Sequence, residues 1–299
     1  MKSKVIGIAD IAMILTCLLW GLGTVAVKNV IGNSPEQFRI FVFNGIRMPI
    51  VSLLLFIWVK CKGGSIGLRL KHIPLIIVVS FFGFFLNMVT SLIGLSMSTA
   101  SNMGIIFTTI PFFILIISFL SGIEKPTVPL VFGIFIGMAG VLMLSYDGSR
   151  ISYNPGDMLI LLSCFFWAIY TVYGKQLLNA YPPLLATAWV FLFASIFQLP
   201  LFFIQLSHQT WHTITPINWF NFLYAAIGSY FFAFGLYFYA LHKIGPIRAG
   251  IYTNLEPVFT LIFAYALLGE TITIFKISGF IIILTGIGIT KIPLRAKPV

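Results

Sequence analysis

Apolar positions run along this chain in long blocks, separated by short clusters of charged, Gly and Pro residues. Many blocks exceed the roughly 20 residues that a spanning helix needs. Reading blocks against breaks predicts ten membrane helices, over residues 7–28, 36–59, 73–96, 99–121, 127–146, 156–178, 183–206, 217–241, 247–268 and 272–291. Most connections are short. The longest are 60–72 and 207–218, and neither can hold a soluble domain. The first block flows directly into further spans, so no cleavable signal peptide is expected.

Composition agrees. The 299 residues are 59% hydrophobic and only 8% charged, against about 25% charged in soluble domains. A net charge of +11 would suggest nucleic acid in a soluble chain. In a chain of membrane helices the same excess is topogenic. With the N-terminus inside, the inner side collects Lys2, Lys4, Lys60, Lys62, Arg69, Lys71, Lys125, Lys175, Lys243, Arg248, Lys291, Arg295 and Lys297. The outer side receives Lys28, Arg39, Arg150 and Lys276, and Arg47 is left within a span. This bias predicts a multi-pass protein of the cytoplasmic membrane with both termini cytoplasmic. Cys17, Cys61 and Cys164 make no disulfide pattern. Two of them sit in apolar blocks, where a small, weakly polar side chain packs well.

The chain repeats. Shifted by 147, DIAMILTCLLWGLGTVAVK (10–28) lies over DMLILLSCFFWAIYTVYGK (157–175), matching Asp10/Asp157, Leu15/Leu162, Cys17/Cys164, Trp20/Trp167, Thr24/Thr171, Val25/Val172 and Lys28/Lys175. Shifted by 146, residues 104–127 lie over 250–273, matching Gly104/Gly250, Pro111/Pro257, Phe113/Phe259, Glu124/Glu270 and Thr127/Thr273. Two five-helix units follow, 7–146 and 156–291. Five is odd, so the second unit starts on the opposite side of the membrane. Inverted repeats are the architecture of many secondary transporters, with the substrate site near the midplane between the units.

The helix LLWGLGTVAVK, its counterpart CFFWAIYTVYGK, and the stretch ALHKIGPIRAGIYTNLEPVFTLIFAYALLGETIT (240–273) resemble the EamA family of the drug/metabolite transporter superfamily. The first unit departs from the pattern: Ile110 stands where the second has its acid, and Ile123 where Gly is usual. The resemblance implies an all-α integral membrane fold of ten transmembrane helices, arranged as two inverted five-helix repeats around a central cavity. It also implies transport of small polar or amphipathic metabolites, among which amino acids and related compounds are frequent.

An ionisable side chain inside a span is a functional-site hypothesis by default. Glu256 stands nine residues beyond Ile247, about 13 Å into a core of about 30 Å. Pro257 removes a backbone donor and frees the Thr253 carbonyl. Glu256 is read either as a substrate-ammonium partner or proton site, or as a structural acid supporting the kink. Pro111 and Pro257 are kinks in both readings. Arg47, at similar depth, is read as a substrate-carboxylate ligand or as an internal partner, and a pair with Glu256 is open. Trp20 and Thr24, and Trp167, Tyr170 and Thr171, make related polar-aromatic faces, readable as a cavity wall or as helix packing. Asn87, Asn102, Thr108, Tyr237, Tyr252 and Asn254 are further cavity candidates, each also readable as helix packing. Thr90, Ser91 and Thr109 stand beside them. Glu124 and Glu270 read as acids that stabilise the helix following each. Lys28 and Lys175 read as interface lysines.

The expected function is secondary transport by alternating access. A channel or lipid translocase is the alternative. A membrane enzyme fits less well, because the four histidines lie outside or at span ends and no HExxH, Walker A or metal spacing occurs. Expected partners are a small-molecule substrate and the lipid bilayer, with no nucleic acid, no cofactor and no metal. Protons are one candidate coupling ion.

Overall fold

A computed structural model of the chain describes residues 7–31, 34–97, 106–107, 109–144, 155–268 and 274–290. They form α1 (Ile8–Val30), α2 (Ile40–Cys61), α3 (Ile73–Ile77), α4 (Asn87–Met97), α5 (Ile110–Leu120), α6 (Val128–Leu144) and α7 (Pro155–Leu177). The second half gives α8 (Pro183–Leu206), α9 (Pro216–Tyr224), α10 (Ala233–Ile244), α11 (Pro246–Tyr252), α12 (Glu256–Leu268) and α13 (Ile274–Ile289). A π-helical stretch, Val78–Leu86, joins α3 to α4, and another, Ala225–Phe232, joins α9 to α10. Among the described residues there is no β-strand, only an isolated bridge between Ile31 and Phe38. Among the described residues, six helical rods are long and apolar enough to cross a membrane, and three shorter apolar helices accompany them. The chain is therefore an all-helical, multi-pass membrane protein. Asn102, Thr108 and Glu270 lie outside the described residues, as does the side chain of Lys28.

The packing partners obey an exchange rule. α1 packs on α10 and on α12, while α7 packs on α4 and on α5. α2 pairs with α8, and α6 with α13. Swapping the first-half and second-half members of each pair returns the same list. The first helix of each half is thus held by the third and fourth helices of the other half.

Helices in lipid gain little from the hydrophobic effect against each other, so close van der Waals contact and interhelical hydrogen bonds set the pairing. α6 and α13 meet through glycines. A Cβ on Gly140 would fall 2.8 Å from the Ile283 amide nitrogen and 2.9 Å from the Gly279 carbonyl oxygen. α2 and α8 meet through polar side chains. Ser52 Oγ donates to the Ala188 carbonyl at 2.9 Å, and Gln198 Nε2 to the Phe41 carbonyl at 3.0 Å. The free amides at the start of α2 are taken up by glutamines. Phe41 N–H donates to Gln205 Oε1 at 2.8 Å, and Arg39 N–H to Gln209 Oε1 at 2.7 Å.

The two π-helical stretches begin at Val78 and Ala225, a shift of 147, which is that of the first sequence match. Each faces the first helix of the other half. A Cβ on Gly83 would stand 2.6 Å from the Tyr170 Cα, so only glycine lets α7 come this close. On the other copy, Ser229 O accepts the Trp20 indole N–H at 3.0 Å, and Ser229 Oγ donates to the Leu19 carbonyl at 3.2 Å. A π turn re-aims backbone groups out of the regular ladder. Here they meet the partner helix.

Gly140→Leu is expected to destabilise the protein by about 1–3 kcal/mol, because the obstructing atoms are backbone and cannot yield. Gly288→Leu, where an added Cβ meets nothing within 4 Å, is the control. Thermal unfolding in detergent measures both, and equal melting temperatures would remove the α6–α13 glycine contact from the account.

Candidate functional site

The candidate site forms where the fourth helix of the second half is broken. α11 ends at Tyr252, a 3-10 turn covers Thr253–Leu255, and α12 starts at Glu256. Pro257 has no N–H for the Thr253 carbonyl. The Glu256 N–H takes that carbonyl instead, through a tighter bond three residues back. Two further carbonyls at the break are also satisfied. Thr253 Oγ1 donates to Gly250 O at 2.6 Å, and the Cys17 thiol donates to Tyr252 O at 3.2 Å. The first half repeats the device: the Cys164 thiol donates to Ile106 O at 3.6 Å. Ile106 is the counterpart of Tyr252 at a shift of 146.

The break leaves Glu256 at a helix N-terminus, where the positive end of the backbone dipole favours an anion. Its carboxylate is half-buried. Oε1 accepts from Thr24 Oγ1 at 3.4 Å, and Thr24 is itself exposed and also donates to the Trp20 carbonyl at 3.1 Å. Gly21 lets α1 approach this segment, since a Cβ there would stand 2.7 Å from the Phe259 Cβ.

Below Thr24 lies an aromatic hub. Trp20 meets Trp167 edge-on at 5.6 Å, Phe234 at 5.1 Å and Tyr237 at 5.3 Å between ring centroids. Trp167 and Tyr170 are 5.1 Å apart. Thr171 Oγ1 and Tyr237 Oη share a hydrogen bond of 2.6 Å. The Trp167 indole N–H and the Tyr170 hydroxyl are buried with no protein partner. Buried polar groups are normally paired, so these two donors stand out in the packing of the hub.

Arg47 is 5% exposed. Its guanidinium lies 3.7 Å from the Tyr230 ring centroid and 4.6 Å from that of Phe43. One terminal nitrogen donates to Asn44 Oδ1, and Nε has no partner. No carboxylate pairs with Arg47 among the described residues, so the candidate pair with Glu256 is not formed. Tyr230 stands between Arg47 and the hub, with its ring 5.0 Å from Phe234.

The other candidates are dispersed. Asn87 Nδ2 donates to the Ser163 carbonyl at 2.8 Å, and Tyr252 Oη to Asp10 Oδ1 at 2.5 Å. Thr90, Ser91 and Thr109 each bond a backbone carbonyl three or four residues earlier. Asn254 is buried and its Nδ2 lacks a partner; a Cβ on Gly137 would stand 2.9 Å from it, so this amide faces α6. Pro111 and Pro257 each occupy the second position of a helix, α5 and α12.

Three features had no reading in the sequence as site components. Tyr230 and Phe234 are two of many aromatics in apolar blocks, and nothing in their spacing separates them. The thiols of Cys17 and Cys164 sit at matched repeat positions, a signal that the sequence carries but that packing alone also explains. Glu124 reaches a helix of the other half. Its Oε2 accepts from the Ile247 N–H at 3.1 Å, at the start of α11, beside Gly245 with its φ of +80°. Burial pushes the Glu124 carboxyl above the usual glutamate range, while the Ile247 N–H and the Arg248 and Lys175 charges pull it back down. Lys175 donates to the His242 carbonyl at the end of α10. Both groups thus close one end of the bundle around the α10–α11 turn.

The chain matches the EamA-like transporter family twice, over residues 7–146 and 154–291. It is 28% identical to an uncharacterized transporter of Archaeoglobus fulgidus, over 97% of this chain and 98% of that one. The uncharacterized transporter YetK of Bacillus subtilis is also 28% identical, over 86% of this chain and 80% of its own length. The uncharacterized inner membrane transporter YedA of Escherichia coli is 28% identical over 66% of this chain and 64% of its own. A solved crystal structure shares the fold, with a TM-score of 0.76 over 95% of this chain and 96% of that one at 16% identity.

Glu124→Ala is expected to cost about 1 kcal/mol, the usual worth of a helix N-terminal cap. Glu124→Gln keeps an acceptor and is expected to retain most of that stability. Thermal unfolding of the purified protein measures the pair, and identical values for Ala and wild type would remove the cap.

Proposed function

The chain belongs to the EamA-like transporter family, and on that premise we propose that it is a secondary transporter working by alternating access. Its substrate is a small polar or amphipathic metabolite, with amino acids and related compounds favoured, carried across the cytoplasmic membrane. The reading takes residues 7–146 and 156–291 as two inverted five-helix units, ten spans in all, with both termini cytoplasmic. The observation that carries it is the exchange rule of the packing, in which each half holds the first helix of the other. Two like halves in opposite orientation define two related states, one open to each side.

The substrate preference rests on the chemistry around the break. Glu256 offers a half-buried carboxylate backed by Thr24. It suits an ammonium group. Trp20, Trp167 and Tyr170 offer aromatic faces, and two unpaired donors suit an acceptor oxygen. Arg47 lies behind Tyr230 and completes a carboxylate site once that ring moves. On this reading Glu124 and Lys175 hold one face shut. Their sequence counterparts, Glu270 and Lys28, serve the opposite face in the other state.

Counterflow in proteoliposomes tests the mechanism. With an amino-acid panel inside the vesicles, a carrier shows saturable uptake and trans-stimulation of labelled substrate. Linear, unstimulated flux would indicate a channel and overturn the proposal. Glu256→Gln is expected to lower uptake at least about tenfold, the worth of one charge-assisted contact, with the melting temperature unchanged. Wild-type uptake kinetics in that variant would take Glu256 out of the mechanism.

A further inference from the structure

A concavity lies away from the hub, on the outer flank of the rod Pro216–Ile244. It is a groove of about 500 Å³ between the end of α2, the start of α8 and that rod. Its walls are apolar and aromatic, and include Trp58, Leu184, Phe231, Leu236 and Tyr239. Trp58 is 45% exposed and the neighbouring Phe232 51%, so the groove opens laterally, toward hydrocarbon. Its rim is polar at one end only. There Lys62 follows α2, with its ammonium 5.6 Å from the Trp58 ring centroid.

The charge at that rim is uncompensated. Between Glu36 and Glu124 the sequence contains no acidic residue, and between Asp157 and Glu256 there is none either. Every element lining the groove falls within these two stretches. Meanwhile Lys60 in the last turn of α2 is followed by Lys62, Arg69 and Lys71 on the connection after it. Lys62 is exposed and no acidic side chain lines the groove beside it, so an anion from outside the chain can meet its charge. A second copy is a poor source, with seven acids against eighteen basic residues. A soluble anion satisfies the lysine and leaves the long apolar wall without an occupant.

We propose that this groove binds an anionic phospholipid, its phosphate at Lys62 and an acyl chain laid along Trp58, Phe231 and Leu236. A ligand with one charged end and one long apolar body matches a groove with one cationic end and apolar walls. Lysine beside an anionic membrane surface and an aromatic ring at headgroup depth are the physical elements of such sites. The groove and the hub share one rod. Phe231 and Leu236 face the lipid site, while Tyr230, Phe234 and Tyr237 face Arg47 and the hub. Bound lipid therefore braces the helix that carries the hub.

Native mass spectrometry of the full chain in detergent tests the assignment, by titrating phosphatidylglycerol and phosphatidylcholine of identical acyl chains. Phosphatidylglycerol is expected to bind at least about tenfold more tightly. Lys62→Ala is expected to lose about fivefold of that preference, the worth of one lysine near an anionic surface. Lys71→Ala, on the same connection but off the groove, is expected to lose less than about twofold. Leu236→Trp fills the groove and is expected to weaken both lipids, with its melting temperature recorded alongside. Equal affinity for the two lipids, or equal losses in Lys62→Ala and Lys71→Ala, overturns the site. Displacement of phosphatidylglycerol by inorganic phosphate would mark a free-anion site and overturn the lipid assignment.

Discussion

The structure depends on one constraint: inside hydrocarbon, every backbone N–H and C=O must find a partner within the protein. A continuous helix meets it without help. A broken helix does not, and this chain breaks one beside Glu256. The carbonyls around that break are taken by a tightened turn, a threonine hydroxyl and the Cys17 thiol of another helix. Cys17 belongs to the first half and the break to the second. The other half answers with Cys164 on Ile106. Each break is thus tied to the first helix of the opposite half, where the exchange rule of the packing already places it. The kink and the pairing of the halves are one arrangement.

That arrangement has a chemical consequence. Opening a helix at mid-membrane presents a helix N-terminus to the interior, and an anion is favoured there. The second half places Glu256 at that point. The first has Ile110, which opens α5 with the same proline next to it. A carboxylate held by one long bond to Thr24 keeps most of its hydrogen-bonding capacity for something else. Arg47 is held differently, between two rings and against Asn44, with one nitrogen idle. Arg47 is buried and Glu256 half-buried, and ionisable groups kept apart from a counter-charge are costly in a medium of low dielectric. They persist where a ligand or a second conformation supplies the missing partner.

Most of the frame was legible in the sequence, for a physical reason. Spanning helices are long apolar blocks, and a shift of 147 aligns Asp10, Cys17, Trp20 and Lys28 with their partners across seven of nineteen positions. The π-helical stretches left no such mark. Val78–Leu86 and Ala225–Phe232 share a position in the repeat but little sequence, because a π turn answers to the helix packed against it. The site was half legible. Glu256 and Arg47 stand out as charges in apolar blocks. Tyr230 and Phe234 do not, since 31 phenylalanines and 11 tyrosines hide any single one. Glu124 was read as an acid serving the helix after it. Its true contact, the Ile247 N–H, lies 123 residues away, and no local rule reaches that far.

The Glu124 contact also explains why the two halves are matched in shape but not in charge. A carrier with fully equivalent halves would hold both faces with equal strength and have no preferred resting state. Here the described face has a carboxylate on the Ile247 N–H, with Arg248 and Lys175 close by. The sequence gives the opposite face a Glu and a Lys at the corresponding places, but the position matching Arg248 at a shift of 146 is Asn102. On the proposed alternating-access reading, one cation fewer makes the opposite closure the weaker of the two. Glu256 opens α12, which the 3-10 turn joins to the α11 that Glu124 caps, so on that reading a substrate at Glu256 acts on the stronger closure directly. The Glu256 carboxylate at the break and the Ile247 N–H that Glu124 holds sit on one broken segment, so on that reading the site and the face it opens are mechanically joined.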